Sequence, residues 1–345
     1  MKILVLGTGS IGKRHIANLL SAGVQVSAYS YRASNGGADA NPLDSRVNRV
    51  NDLSEALNSD VDAVVVANRT DQHMDVALQA ASLKKHMFLE KPLAVSLTGT
   101  GELMQLVAQH QLVIEAGFML RFHPNLLWIR DFLARGDLGD IMHLRAAVGQ
   151  WLPDWRPGTD HRQGYGAFKA TGGGVIFDLI HELDLVYWLF GTVQDVTAMT
   201  QVVPCLNIET EGIAQICLRM VSGVLAQVHL DYVRPGYGRE MEIVGRHGVL
   251  RWDYIEGSVS LQKAGGLSEV VHQVPAQFER NTMFQQHMAH FLKRIRQPQM
   301  AAASSLEDSV AVLKVALAAH ESSATRCFVR PQALRTSSDL KMKTL

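Results

Sequence analysis

The turn Gly7-Thr8-Gly9-Ser10-Ile11-Gly12 follows the apolar run 3–6 and leads into segment 10–22, where Ile11, Ile16, Leu19 and Leu20 recur at helical spacing. Strand, glycine turn and helix in direct succession point to a βα unit in a parallel sheet covered by helices. Gly7 makes the tight turn, Gly9 lets the backbone approach a pyrophosphate, and Gly12 allows close helix–strand packing. The helix start at Ser10 and Ile11 then offers its N–H groups to the anion. With 28 Gly in the chain, the hexapeptide arises by chance in about one sequence in six, so its context carries the reading. That context continues as strands at 24–29, 63–67, 87–89 and 113–117, alternating with helices at 53–57, 75–81 and 101–110. No internal repeat or low-complexity stretch interrupts it.

The 33 Lys and Arg balance 33 Asp and Glu, so no global field draws the chain to nucleic acid or an anionic membrane. Hydrophobic residues make up 47% and charged residues 19%, enough to bury a large core. No apolar run approaches the length of a transmembrane helix, and the N-terminal run is too short for a signal peptide. Cys205, Cys217 and Cys327 share no metal-ligand spacing. They are expected to be small buried hydrophobes, and the chain a cytoplasmic protein with neither disulfide nor metal.

In dinucleotide-binding βαβ units that prefer NAD, a carboxylate at the end of the second strand holds the ribose 2′-OH. Here that place reads Tyr29-Ser30-Tyr31-Arg32, and the first acid is Asp39. The Ser30 hydroxyl and the Arg32 guanidinium suit a 2′-phosphate, so NADP is expected in preference to NAD.

Further along stand Glu90-Lys91-Pro92 and then Gly172-Gly173-Gly174 followed by Asp178, His181 and Asp184. With the opening glycine motif, these make the chain resemble the glucose–fructose oxidoreductase, inositol dehydrogenase and rhizopine-catabolism (Gfo/Idh/MocA) family over residues 1 to about 330. The resemblance implies an α/β protein: a Rossmann domain at 1–120 and, at 121–330, an α/β domain with an open, mostly antiparallel sheet. Residues 331–345 are expected to be a loose tail. The open sheet face implies a homodimer or homotetramer.

The resemblance also implies that Lys91 lies beside nicotinamide and substrate, with Glu90 contacting the cofactor, orienting Lys91 or capping the next helix. A cation near the reacting oxygen favours the alkoxide, which is what removing a hydride from a secondary alcohol requires. Relatives often carry Thr-Pro-Asn-x-x-His after the third strand. Here Asn68 and Arg69 depart from that pattern and His73 matches it. Asn68 is expected to meet the cofactor through its backbone, and His73 to serve either the site or the helix start.

In the second domain strands are expected at 141–149, 193–203, 212–219, 223–233 and 239–244, a single helix at 175–190, and closing helices near 281–296 and 306–324. Arg121 is the candidate for a substrate contact, with an interdomain salt bridge as its other reading. The family pairs an Asp and a His four apart on the helix after the glycines. Here Asp178 and His181 are three apart, which leaves the partner of Asp178 open, and Asp184 reads as structural. His181 is the acid/base candidate, and Asp178 its partner or a substrate ligand.

The loop before this helix gathers Trp151, Asp154, Trp155, Arg156, Asp160, Arg162 and Tyr165. Aromatic faces, carboxylates and guanidinium groups suit a sugar, so Trp155, Arg156, Asp160 and Arg162 are candidate substrate contacts. The other reading is a packed loop or a dimer contact. The loop resembles that of a branch found among surface-polysaccharide and nonulosonic-acid enzymes, implying a nucleotide- or phosphate-activated sugar. The expected activity is hydride transfer between nicotinamide and a sugar. Two alternatives remain open, redox-neutral sugar chemistry on a tightly held cofactor and a sensor without catalysis.

Overall fold

The computed structural model describes residues 1–31 and 43–334 and separates into two compact units. The first comprises Met1–Met119 with Glu279–Val310, and the second Leu120–Phe278 with Ala311–Leu334. Arg32 and residues 335–345 lie outside the described residues.

In the first unit six parallel strands run in the order β3-β2-β1-β4-β5-β6: β1 Lys2–Leu6, β2 Gln25–Tyr29, β3 Asn48–Val50, β4 Ala63–Val66, β5 His86–Leu89 and β6 Ile114–Ala116. Ile3–Leu6 and the whole of β4 are buried, so they read as continuous apolar runs instead of alternating ones. Helices α1 (Ser10–Ser21), α2 (Leu53–Asn58), α3 (His73–Ser82) and α4 (Thr100–His110) connect the strands. The strand order reverses between β1 and β4, and the crevice at their carboxyl ends is where an open α/β sheet receives ligands.

The helix α5 of the second unit spans Pro124–Ala134. Eight strands follow in the order β14-β13-β12-β11-β7-β10-β9-β8, antiparallel except for the β7–β10 pair. They are β7 Ile141–Gly149, β8 Val193–Gln201, β9 Ile213–Met220, β10 Leu225–Asp231, β11 Gly238–Gly245, β12 Gly248–Asp253, β13 Ser258–Lys263 and β14 Ser268–Gln273. Along β9, Ala214, Ile216, Leu218 and Met220 are buried while Gln215, Cys217 and Arg219 face out, so one face packs and the other is wet.

Four expectations need correction. The helix expected over 175–190 is two: α6 Val175–Asp178 and α7 His181–Phe190, joined through Leu179 and Ile180. The helix expected near 281–296, α8 Arg280–Arg296, belongs to the first unit, where Met288, Phe291 and Leu292 join the core of Ile3, Val5, Ile16, Leu19 and Phe88. A polar anchor holds it there. Glu115 of β6, wholly buried, lies 2.7 Å from His290 Nδ1 and accepts from the backbone N–H groups of Ala303 and Ser304. Helical period shows which face is buried but not which sheet buries it. The last helix, α9 Leu306–Thr325, begins in the first unit's segment and ends in the second's. Strand β14 had no clear signal because it is exposed along nearly its whole length. All three cysteines are exposed, Cys217 because it takes an outward position of β9. No helix among the described residues is long and apolar enough to cross a membrane.

Candidate active site

The strand ends of the first unit meet in a fixed register. Gly7 N–H donates to Tyr29, Ala67 N–H to Leu6, Glu90 N–H to Val66 and Gly117 N–H to Leu89. Gly7 has φ +104°, and a Cβ there would strike the Ala67 carbonyl and come within 2.7 Å of Asn68 N. A Cβ at Gly12 would collide with the Gly7 carbonyl, whereas at Gly9 it would meet nothing within 4 Å. Two glycines therefore pack the turn, and the third leaves its outer side open. The start of α1, capped by no side chain and free of acids in its first turn, adds the electropositive end of a helix. These features fit a dinucleotide pyrophosphate. At the end of β2, Thr8 Oγ1 donates to Ser30 Oγ at 2.9 Å, and Tyr29 and Tyr31 meet edge to face.

Lys91 is the second residue after β5 and is half-buried, and its bond to Pro92 is cis. Glu90 is buried, with Oε1 2.6 Å from His15 Nε2 and Oε2 3.2 Å from the Lys91 backbone N–H. Its carboxylate is thus occupied by the protein, which favours the orienting role over a direct cofactor contact. His73 is buried as well, Nδ1 2.9 Å from the Pro92 carbonyl oxygen and Nε2 3.1 Å from that of Asn68. Burial holds its pKa below the usual value. The neutral ring has one N–H, and the shorter contact marks Pro92 as its acceptor. His73, at the start of α3, therefore fastens that helix to the lysine turn through the Pro92 carbonyl. Arg69, the departure from the family pattern, forks onto Asp71 at 3.0 and 2.7 Å.

In the second unit Asp178 is buried and accepts from two phenols, Tyr165 at 2.8 Å and Tyr232 at 2.7 Å. Burial and the Asp178 charge push the Tyr232 pKa well up, so it remains a donor. The Trp155 indole meets Tyr232 edge-on at 5.2 Å, and the Arg156 guanidinium lies 5.7 Å from the Tyr165 ring centre. Tyr232 carried no sequence signal, since it lies 54 residues from Asp178 just past an alternating strand. Tyr165 stood in the loop but not among the candidates. His181 is buried at the first position of α7.

Two candidate groups stand apart from this cluster. Arg121 is buried and grips Asp184 with two bonds, Nη2 to Oδ1 at 2.6 Å and Nε to Oδ2 at 3.2 Å. Its guanidinium thus serves an ion pair inside the second unit. A parallel pair joins Arg239 to Glu182 at 2.7 Å, so α7 is moored on two buried arginines. Asp160 and Arg162 fork onto each other at 2.9 and 2.8 Å in an exposed stretch, and that bond draws the Asp160 pKa down to about 2.

One further group of this unit sets a pH dependence. His123 is buried among Trp252, Tyr254 and Phe278, and its Nδ1 accepts from Asn125 N–H at 3.2 Å. Burial, aided by Arg239, lowers its pKa to about 4. The unfolded chain therefore binds the proton first as pH falls from about 6.5, and stability is lost down to the folded value, in all of order 3 kcal/mol. His123→Gln should flatten the fall in unfolding free energy between pH 6.5 and 4 by about that amount. Equal slopes in urea titrations of both proteins would refute the assignment.

Residues 1–118 match the family described as an oxidoreductase family with an NAD-binding Rossmann fold, and residues 126–251 match the GFO/IDH/MocA C-terminal domain. An uncharacterized oxidoreductase of Synechocystis is 30% identical over 58% of this chain and 57% of its own length. The chain thus aligns with little more than half of that relative. The myo-inositol 2-dehydrogenase of Thermotoga maritima is 27% identical over 72% of this chain and 74% of its own. The solved structure of a levoglucosan dehydrogenase with NADH and levoglucosan superposes with a TM-score of 0.84 at 17% identity, over 96% of this chain and 99% of that one. Glycine cradle, Glu-Lys-Pro turn, eight-stranded second sheet and both family matches agree, and the chain belongs to the Gfo/Idh/MocA oxidoreductase family.

Proposed function

We propose that this chain is an NAD(P)-dependent dehydrogenase acting on a CH–OH group of a sugar or cyclic polyol, with NADP(H) as its preferred dinucleotide. The observation that carries the reading is the open glycine cradle at the β1/β4 reversal, with Lys91 at the end of the adjoining strand β5. The names of the inositol and levoglucosan relatives support the substrate class. Gly7, Gly9 and Gly12 with the first turn of α1 hold the pyrophosphate, and the Asn68 backbone borders it. Tyr29, Ser30 and Tyr31 offer no carboxylate to a ribose 2′-OH, which favours the 2′-phosphate.

When bound, nicotinamide takes or supplies the hydride. In oxidation the neutral Lys91 amine would take the hydroxyl proton and become the ammonium beside the oxygen, and in reduction that ammonium would return the proton to the carbonyl oxygen. His181, buried at the start of α7, is the acid/base candidate of the second unit. Asp178, with one lone pair on each oxygen given to a tyrosine, keeps acceptor capacity for substrate hydroxyls, and Trp155 offers an apolar face to a sugar ring.

The test is a fluorescence titration with NADPH and with NADH, followed by turnover at 340 nm on myo-inositol, levoglucosan, free hexoses and UDP-sugars. NADPH is expected to bind at least ten-fold tighter, with turnover on one member of the panel. Tighter NADH would refute the 2′-phosphate reading. Dinucleotide binding with no turnover on any member would favour a sensor.

A further inference from the structure

We propose that His15, through Glu90, is a positioning residue for Lys91; the inference rests on the role given to Lys91 above. A buried carboxylate is costly unless paired. The His15 ring, 1% exposed, is flanked by Phe88 at 5.0 Å and Phe284 at 6.3 Å. Glu90 spans two elements, one oxygen on His15 Nε2 at 2.6 Å and the other on the Lys91 N–H at 3.2 Å. Room for it depends on Gly117, where a Cβ would come within 2.8 Å of Glu90 Oε2.

His15 lies three residues beyond Gly12 on α1, the helix whose start forms the cradle. The pair thereby ties the cradle helix to the backbone of the lysine turn. On the other flank His73 holds the Pro92 carbonyl. Lys91 is thus held at the residue before it and the residue after it, each by a buried histidine. Such a hold keeps the reacting amine near its productive geometry, and small misplacements of a reacting group cost large factors in rate.

The experiment compares wild type with His15→Leu, which removes the donor, and His15→Gln, which keeps one. Acetic anhydride labelling of each lysine, quantified by mass spectrometry, needs no substrate. In His15→Leu, labelling of Lys91 is expected to rise at least threefold while Lys84 and Lys293 stay unchanged; His15→Gln restores the wild-type rate. Unchanged Lys91 labelling, or a uniform rise at all lysines, would overturn the positioning role whatever the substrate proves to be. With a turned-over substrate, His15→Leu should lower kcat ten-fold or more, with KM and NADPH affinity within twofold and recovery in His15→Gln. An increase in KM at constant kcat overturns the proposal as well. If His15→Leu does not fold, Glu90→Gln, which weakens the same bond, carries the same expectations. Failure of the function reading itself shows separately, as turnover retained in Lys91→Met.

Discussion

Lys91→Met should lose about a thousandfold in turnover while binding NADPH within about threefold of wild type. Methionine keeps the length and apolar stem of lysine and removes only the amine, so the turn after β5 retains its packing. The dinucleotide is held by the backbone of the glycine turn and the start of α1, which do not depend on that amine. Proton transfer by a positioned group contributes roughly 10²- to 10⁴-fold, and the expected loss lies in that range. A turnover within ten-fold of wild type on the substrate identified above would remove Lys91 from the chemistry. A parallel loss of NADPH binding would make it a cofactor ligand instead. Lys91→Arg restores charge but not shape or a removable proton, and should recover little.

The second large effect is on stability. Asp184→Ala is expected to cost about 3–5 kcal/mol, because it leaves the Arg121 guanidinium buried without its carboxylate. The two side chains are 3% and 0% exposed and joined by two bonds, so no solvent screens the loss. Replacing both members, Arg121→Met with Asp184→Leu, should recover most of it, since well-packed apolar side chains often match or exceed a buried ion pair. Urea unfolding of the two single variants and the double variant measures the coupling. A cost below about 1 kcal/mol for Asp184→Ala would show that the pair is not held as described. The same proteins separate the two readings of Arg121. If it contacts substrate, the refolded double variant keeps its stability but shows a raised KM; if it only moors α7, KM stays as it was.

Much of the first unit was legible without coordinates. A buried parallel strand has to be a continuous apolar run, and a turn that packs against a neighbouring strand end has to be glycine. Both constraints act within a few residues and so leave a local pattern, as at 3–6 and at Gly7, Gly9 and Gly12. The Glu90-Lys91-Pro92 turn was visible through its resemblance to the family motif. His15 was not, although it lies inside the helix that the pattern identified. A buried histidine at helical spacing looks like any other inward position until its partner, 75 residues away, is known.

The sequence by itself determined a dinucleotide-type βα unit at the start, several strands of the second sheet, and Lys91 at a strand end. These follow from period, from glycine's missing side chain and from strand-end position, all properties of neighbours in the chain. The tertiary structure alone decided that α8 returns to the first unit, that Asp178 takes two tyrosines, and that Arg121 belongs to Asp184. A buried polar group must have a partner, but nothing local says which one. Topology chooses it, from residues 54 positions away for Tyr232 and 63 for the arginine pair.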